Sequence, residues 1–598
     1  MIKLLMGNEA IALGAIKAGV NVVCGYPGTP STEVLETVAK HNDGSIYVEW
    51  SVNEKTAMEV GAGAAYSGAR TMVTMKQVGL NVASDPLMSL SYIGVKGGMV
   101  ILVADDPGPL SSQTEQDTRH FARFSNLPVL DPSTPEEAYE MVQYAFDLSE
   151  QVGLPVFLRP TTRVCHACSS IDTSDEKETH TPEGFIKDPR WVIFPSLSYR
   201  RHIEIEKLQV ALSLMFSQSH FNKVSGKGTL GIAASGIAWA YATDVIKQMG
   251  LDIKVFKVGT PYPFPTKIAE GFLEGLESCL VLEELDPVLE EALLETVAAN
   301  GLKTKILGKK NGYLPFAGEY SFELIHKTIA EYVGKPLEAS HEEPLPSLPA
   351  RPPVLCAGCP HRASFYAVKK AMKGIKAVFT GDIGCYTLGN AKPLNMVDTC
   401  LCMGASVSVA QGIKRVEPDT KLFAFIGDST FFHTGIPGII NAVYNQTDIC
   451  LVVLDNSTTA MTGHQPHPGT AKTMMGSVSE KIDIPGLLSA VGVTKVWRHN
   501  PFDQKGAVEI VKEAANIRGV TAIVFEAPCI ALVKKPEALA VDQEKCRACG
   551  LCIKEIGCPS QYLTGDRKVQ IEPSTCYACG LCKSVCPFGA IGGKDHES

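Results

Sequence analysis

Short apolar runs alternate with helix-patterned stretches along most of this chain. Residues 20–24, 71–75 and 99–104 are strand-like and flanked by helical stretches, which predicts a parallel α/β layer over residues 1–185. Residues 1–10 read as passing directly into a helix. A polar stretch at 172–182 reads as a linker. A smaller α/β unit is predicted beyond it, over 186–335, with strands at 229–234, 253–258 and 279–283. Residues 336–353 hold Pro336, Pro344, Pro346, Pro349, Pro352 and Pro353, too many for the interior of an element, and read as an interdomain strap. A third α/β unit is predicted over 354–540, with strands at 377–380, 421–426, 449–454 and 521–525. A small domain over 541–598 closes the chain.

Composition leaves this picture intact: 598 residues at 45% hydrophobic and 20% charged provide material for several cored domains. The formal charge of -9 is spread along the chain, with no basic run and no interleaving of aromatic and basic residues, so nucleic acid is not an expected partner. No apolar run reaches membrane-spanning length, and residues 1–10 carry no charged leader, so a cytoplasmic protein is expected. In a reducing cytosol, nineteen cysteines point to metals rather than to disulfides.

Eight of those cysteines fall in the last 53 residues, as Cys546-x2-Cys549-x2-Cys552-x5-Cys558-Pro559 and Cys576-x2-Cys579-x2-Cys582-x3-Cys586-Pro587. A C-x2-C-x2-C turn aims three thiolates at one iron–sulfur cube, and the fourth cysteine of each run ligates the other cube. The expected sets are therefore Cys546, Cys549, Cys552 and Cys586 for one 4Fe-4S cluster, and Cys558, Cys576, Cys579 and Cys582 for the other. Zinc needs only two C-x2-C pairs per site and gives no reason for the third cysteine in each run. The x5 gap before Cys558 departs from the usual x3 and marks the place where an atypical cluster, such as one with three irons, is expected.

A second chemistry follows two apolar strands. Gly427-Asp428-Ser429 ends the first, and Asp455-Asn456-Ser457-Thr458-Thr459-Ala460-Met461-Thr462 ends the second, with 28 residues between Asp428 and Asn456. Adjacent strand ends would set a carboxylate beside a carboxamide at the carboxyl edge of a sheet, where ligands of open α/β folds bind. Both are hard oxygen donors suited to Mg²⁺ on a diphosphate.

These residues resemble the thiamine-diphosphate enzymes, and more narrowly the 2-oxoacid:ferredoxin oxidoreductases, whose diphosphate domain carries a G-D-G…N signature followed by N-x4-M-T-G-x-Q. The match runs through Asn456, Met461, Thr462, Gly463 and Gln465. The resemblance implies that Gly427, Asp428, Ser429, Asn456, Thr458, Met461 and Thr462 bind thiamine diphosphate. Mg²⁺ would be held by the Asp428 and Asn456 side chains and the Thr458 carbonyl. Ser429 stands where the family usually has glycine. The implied fold is α/β and multidomain: two thiamine-diphosphate-type parallel-sheet domains, a transketolase C-terminal-like α/β domain, and a small α+β two-cluster ferredoxin domain.

The family's glutamate, which promotes formation of the thiazolium carbanion, is matched by Glu54, ahead of an Ala/Gly-rich helix; Glu49 and Glu59 are alternatives. Tyr26-Pro27-Gly28-Thr29-Pro30-Ser31 resembles the family's Y-P-x-T-P-S loop, which makes Thr29 a candidate substrate contact, against a plain loop with a helix cap at Ser31. His464 and His467 either line the substrate pocket, with His464 the candidate, or cap a loop. A third, proximal 4Fe-4S cluster is implied on Cys356, Cys359, Cys385 and Cys529. Cys24, Cys165, Cys168, Cys279, Cys400, Cys402 and Cys450 are assigned no metal.

The domain order resembles the large subunit of the family members acting on indolepyruvate. It implies oxidative decarboxylation of aryl 2-oxoacids (indolepyruvate, phenylpyruvate, hydroxyphenylpyruvate) with CoA as cosubstrate and ferredoxin as electron acceptor. A smaller β subunit in an α2β2 assembly is implied as partner. The same chemistry on pyruvate or branched-chain 2-oxoacids, and an electron-transfer subunit without its own thiamine chemistry, stay open at this stage.

Overall fold

The computed structural model describes residues 2–173, 177–335, 347–476 and 480–593, and the chain divides into two compact units, residues 1–343 and 344–598. In the first unit, six parallel strands form a sheet in the order Tyr47–Trp50, Val22–Gly25, Thr71–Lys76, Met99–Ala104, Val156–Leu158, Val129–Leu130. The Met99–Ala104 strand is buried along its whole length, as a central parallel strand covered on both faces must be. Helix Glu54–Tyr66 is capped by Asn53, whose side chain accepts from the Thr56 N–H. Its small residues let it lie close on the sheet: a Cβ on Gly61 would stand 2.6 Å from Val73 Cγ2.

A second sheet of the same unit has the order Lys305–Leu307, Ser278–Leu282, Leu230–Ala234, Lys254–Lys257, Lys223–Ser225, with only the last strand antiparallel. The two sheets are joined by a buried charge network. Arg119 pairs with Asp117 and with Glu283 (2.8 Å), and Arg159 pairs with Asp105 (2.7 Å) and Asp131 (3.4 Å). Backbone bonds from Val129 N to Tyr262 O and from Asp131 N to Gly259 O close the same seam.

One local reading is corrected. Residues Ile2–Met6 form a strand, antiparallel to Cys168–Asp172, and the helix begins only at Gly7. The apolar run Ile-Lys-Leu-Leu-Met suits either element, and a partner remote in sequence decides it. The helix starts on glycine because a Cβ at Gly7 would stand 1.9 Å from the Val164 carbonyl oxygen. The stretch read as a linker at 172–182 is tied back along its described part: Glu178 N donates to Lys17 O, and His180 O accepts from Asn21 Nδ2. Residues 174–176 lie outside the described residues. So do Pro336, Pro344 and Pro346 of the proline-rich segment; Pro349, Pro352 and Pro353 are in no regular element.

In the second unit, five parallel strands run in the order Ala377–Thr380, Lys421–Gly427, Ile449–Asp455, Val520–Glu526, Lys495–His499. The cysteine-rich tail carries two short antiparallel strand pairs, Ala540–Val541 with Ile591–Gly592 and Gln561–Leu563 with Val569–Ile571, and the helices Leu551–Ile556 and Leu581–Val585. One apolar core holds Phe365 of helix Pro360–Ala371 and Phe423 and Phe425 of the sheet together with Ile556, Leu581 and Ile591 of the tail, so the tail is packed as part of this unit. No helix among the described residues is long and apolar enough to cross a membrane.

Candidate active site and cluster sites

In the second unit, the buried strand Lys421–Gly427 delivers Asp428 to the sheet's carboxyl edge. Glycine is required at 427, where a Cβ would stand 2.6 Å from the Tyr386 ring. The Asp428 carboxylate accepts from the backbone N–H groups of Ser429 (2.8 Å), Asn456 (3.1 Å) and Ser457 (2.8 Å), which locks the two strand ends together. His467 Nε2 lies 3.2 Å from Asp428 Oδ2, buried and off the line of a hydrogen bond. Burial alone would raise the Asp428 carboxyl; the His467 imidazole and the Ser429 N–H outweigh it and hold the carboxyl below its ordinary value. Asp455 is pushed the other way, up to about 7, by burial and by Asp428 beside it.

Asn456 and Thr458 are buried next to this carboxylate, with Asn456 Oδ1 accepting from Thr458 N at 3.3 Å. Thr459 Oγ1 donates to Ser429 Oγ (3.0 Å), so the serine that stands for the family's glycine joins the two loops. The buried Asp428 carboxylate and the Asn456 carboxamide oxygen are hard oxygen donors, of the kind that fits Mg²⁺ on a diphosphate. Met461 and His464 are exposed, and His464 has a left-handed backbone (φ 68°). Thr462 donates to Gln465 Oε1.

The body cysteines converge on this same edge. Cys356 and Cys529 both act electrostatically on the Cys385 thiol, and Cys356 acts on Cys359. Cys529 N donates to Asn456 O at 3.0 Å, and His361, two residues after Cys359, lies 3.3 Å from Asn456 Nδ2. Burial holds the His361 imidazole down to about 4, so it is neutral at physiological pH.

In the tail, one cavity is lined by Cys546, Cys549, Cys552 and Cys586, and another by Cys558, Cys576, Cys579 and Cys582. The chain therefore crosses between them, each fourth cysteine lying with the other run. Burial and the neighbouring sulfurs raise the Cys582 thiol to about 12, a cost that a bound metal removes by taking the thiolate. Cys24, Cys165, Cys279 and Cys450 are buried apart from these sets, and Cys168, Cys400 and Cys402 are exposed.

In the first unit, the carboxyl edge of the six-stranded sheet gathers the Tyr26–Ser31 loop, Glu54 and Lys76. Thr29 is half-buried, its carbonyl accepts from Ser111 Oγ, and the Thr29–Pro30 bond is cis. Ser31 does not cap the following helix with its side chain; its hydroxyl donates back to Gly28 O. Glu54 is buried at the first turn of its helix, with its carboxylate over Gly79. Glu49 accepts from Tyr47 and Ser51, and Glu59 is exposed and paired with Lys55. Lys76 runs over Gly28; burial lowers its ammonium, opposed by Asp106 and Glu54.

Sequence reasoning did not single out His361, Asp455 or Lys76. The Cys-Pro-His string after Cys359 and the doublet Asp455-Asn456 were the signals for the first two. Lys76 has none, since only the fold brings it to Glu54.

Three family profiles match the chain: "Pyruvate flavodoxin/ferredoxin oxidoreductase, thiamine diP-bdg" over residues 13–201, "Thiamine pyrophosphate enzyme, C-terminal TPP binding domain" over 382–525, and "4Fe-4S dicluster domain" over 538–593. Among curated proteins, the "Indolepyruvate oxidoreductase subunit IorA" of Methanothermobacter thermautotrophicus is 43% identical, over 98% of this chain and 96% of its own length. Those of Archaeoglobus fulgidus and Thermococcus kodakarensis are 41% and 40% identical, over 98% of this chain and 97% and 96% of theirs. Thiamine diphosphate and iron–sulfur clusters are accordingly this enzyme's cofactors. With both thiamine domains and the dicluster tail accounted for along one chain, it belongs to the 2-oxoacid:ferredoxin oxidoreductase family, within the group of indolepyruvate oxidoreductase IorA subunits.

Proposed function

We propose that this chain catalyses the CoA-dependent oxidative decarboxylation of aryl 2-oxoacids, indolepyruvate foremost, to the arylacetyl-CoA and CO2, with ferredoxin taking the electrons. It would act with a smaller β subunit, as the name "subunit" borne by its relatives suggests for those proteins. The observation that carries the reading is the bond from Cys529 N to Asn456 O. A loop bearing a thiol of the proximal set is fastened to the loop of the diphosphate motif, an economy that a non-oxidative thiamine enzyme has no use for.

Thiamine diphosphate supplies the electron sink for decarboxylation. The residues of this chain do the rest. Asp428, Asn456 and the Thr458 carbonyl would hold Mg²⁺, with Gly427, Ser429, Met461 and Thr462 around the diphosphate. Glu54, buried and facing Gly79, would exchange a proton with the aminopyrimidine, and Thr29 and His464 would meet the substrate. Cys356, Cys359, Cys385 and Cys529 would hold the proximal cluster, and the two tail sets would pass electrons outward one at a time.

The test is reduction of a viologen dye by the purified two-subunit complex, dependent on CoA, across indolepyruvate, phenylpyruvate, pyruvate and 2-oxoisovalerate. The aryl acids are expected to show the highest kcat/KM, with at least a hundredfold loss in Glu54→Gln. Preference for pyruvate would sink the aryl reading, and an unchanged rate in Glu54→Gln would sink the thiamine role.

A further inference from the structure

The x5 gap before Cys558, the one irregularity in the cysteine pattern, leads to Arg362. The longer spacing lets the helix Leu551–Ile556 complete its last turn and stop at Gly557, which takes the left-handed conformation (φ 56°) and lies so close to Pro393 that a Cβ would stand 2.4 Å from its Cδ. The carbonyls left free at that turn face the buried guanidinium of Arg362: Nη1 donates to Ile556 O (2.6 Å) and Gly557 O (3.0 Å), and Nη2 to Leu355 O, next to Cys356. Arg362 Nε is buried and has no hydrogen-bond partner among the described residues.

Arg362 thus bridges the backbone just before Cys356 and the backbone just before Cys558. Its charge interacts with the thiols of Cys558, Cys359, Cys579 and Cys356, two from each set. It lines one cavity together with Cys359, Cys558, Cys576, Cys579 and Cys582. The loops touch elsewhere as well, since a Cβ on Gly358, between Cys356 and Cys359, would stand 2.6 Å from Tyr577, between Cys576 and Cys579.

We propose that Arg362 couples the proximal cluster to the Cys558–Cys576–Cys579–Cys582 cluster, fixing their ligand loops to each other and stabilising the reduced form of both by its positive charge. The proposal rests on the reading that both cysteine sets hold clusters. The step served moves one electron: the proximal site is oxidised by one electron and the tail site reduced by one, with no bond made or broken. A fixed cation in a site closed to water favours the more negative, reduced state, and net charge and hydrogen bonding near the sulfurs set cluster potentials. It also gives the x5 spacing a purpose, a docking turn for the guanidinium, with Cys558 still placed beside Cys576, Cys579 and Cys582.

The test is an anaerobic redox titration of the holoenzyme, followed by electron paramagnetic resonance, with iron counted in every sample. Arg362→Gln keeps a donor for the carbonyls and removes the charge; Arg362→Lys keeps the charge. With full iron, the glutamine chain is expected to show a reduced-to-oxidised ratio at fixed potential about tenfold lower at both sites, about 59 mV for a one-electron couple. The lysine chain is expected to stay within about threefold of wild type. An iron-replete glutamine chain with the wild-type ratio, or a lysine chain shifted as far as the glutamine chain, overturns the proposal and leaves Arg362 a structural bolt. If the glutamine chain loses iron, the lysine chain decides: an unchanged ratio supports the coupling and a tenfold change overturns it. Wild-type enzyme with iron for the tail clusters alone would instead defeat the proximal-cluster reading.

Discussion

The Glu54 carboxylate rests on Gly79, so closely that a Cβ there would stand 2.5 Å from Oε1 and 2.7 Å from Cγ. The glutamate is buried at the start of helix Glu54–Tyr66 and the glycine lies in the first turn of helix Gln77–Val82, so the absence of one methyl group decides where the carboxylate points. Gly79→Ala is expected to displace Glu54 and lower kcat/KM by about a hundredfold to a thousandfold, within the range by which a positioned acid–base group contributes. Iron content and the cluster spectra should stay as in wild type. A full rate in Gly79→Ala would show that the orientation of Glu54 is unimportant.

Asp428 accepts three backbone N–H bonds and holds the ends of two strands together. Asp428→Asn keeps the shape but replaces one acceptor oxygen by a donor facing those N–H groups and removes a charge from the proposed Mg²⁺ site. Thiamine diphosphate affinity, measured by titration calorimetry with Mg²⁺ present, is expected to fall by at least about tenfold. Undiminished binding would remove Asp428 from the metal's ligands.

The crossing of the tail has a direct spectroscopic consequence. Cys586 lines the cavity of Cys546, Cys549 and Cys552, although it follows Cys582 in the chain. Cys586→Ser is therefore expected to alter or convert the cluster of the first run and leave that of Cys576, Cys579 and Cys582 unchanged, and Cys558→Ser should do the reverse. Mössbauer spectra of the two variants distinguish crossed from uncrossed ligation.

Glu284 gives a pH signature. Burial raises its carboxyl from an ordinary value of 4.5 to about 7, against the hydrogen bond it accepts from Tyr320 N. The folded chain then keeps a proton that the unfolded chain has released, so this group's stabilising contribution is complete below about pH 4.5 and is lost as pH rises through about 7. Glu284→Gln removes that loss. The variant is expected to gain on the order of 1 kcal/mol relative to wild type between pH 5 and 8, read as a Tm advantage of about 1–2 °C. No pH dependence in the Tm difference would show the carboxyl to be ionised throughout.

What the sequence determined by itself was the set of elements whose signal is local. The strands at 99–104 and 377–380 are continuous apolar runs bounded by turns, and they stand at those positions in the structure. The spacing of the tail cysteines indicated which of them line one cavity. The apolar runs before Asp428 and Asn456 put both at strand ends, where they stand, and resemblance to the family picked out Glu54, which stands at a helix start. Tertiary structure alone decided the rest. Ile2–Met6 became a strand because Cys168–Asp172 pairs with it, and Lys76 came to Glu54 because the parallel strands on either side of Val22–Gly25 end at one edge. Arg362 reached the turn before Cys558 because the tail shares an apolar core with the sheet domain. The reason is the same in each case: periodicity and spacing record what a residue does within its own element, whereas side chains from remote elements meet only after burial of the apolar faces has brought those elements together.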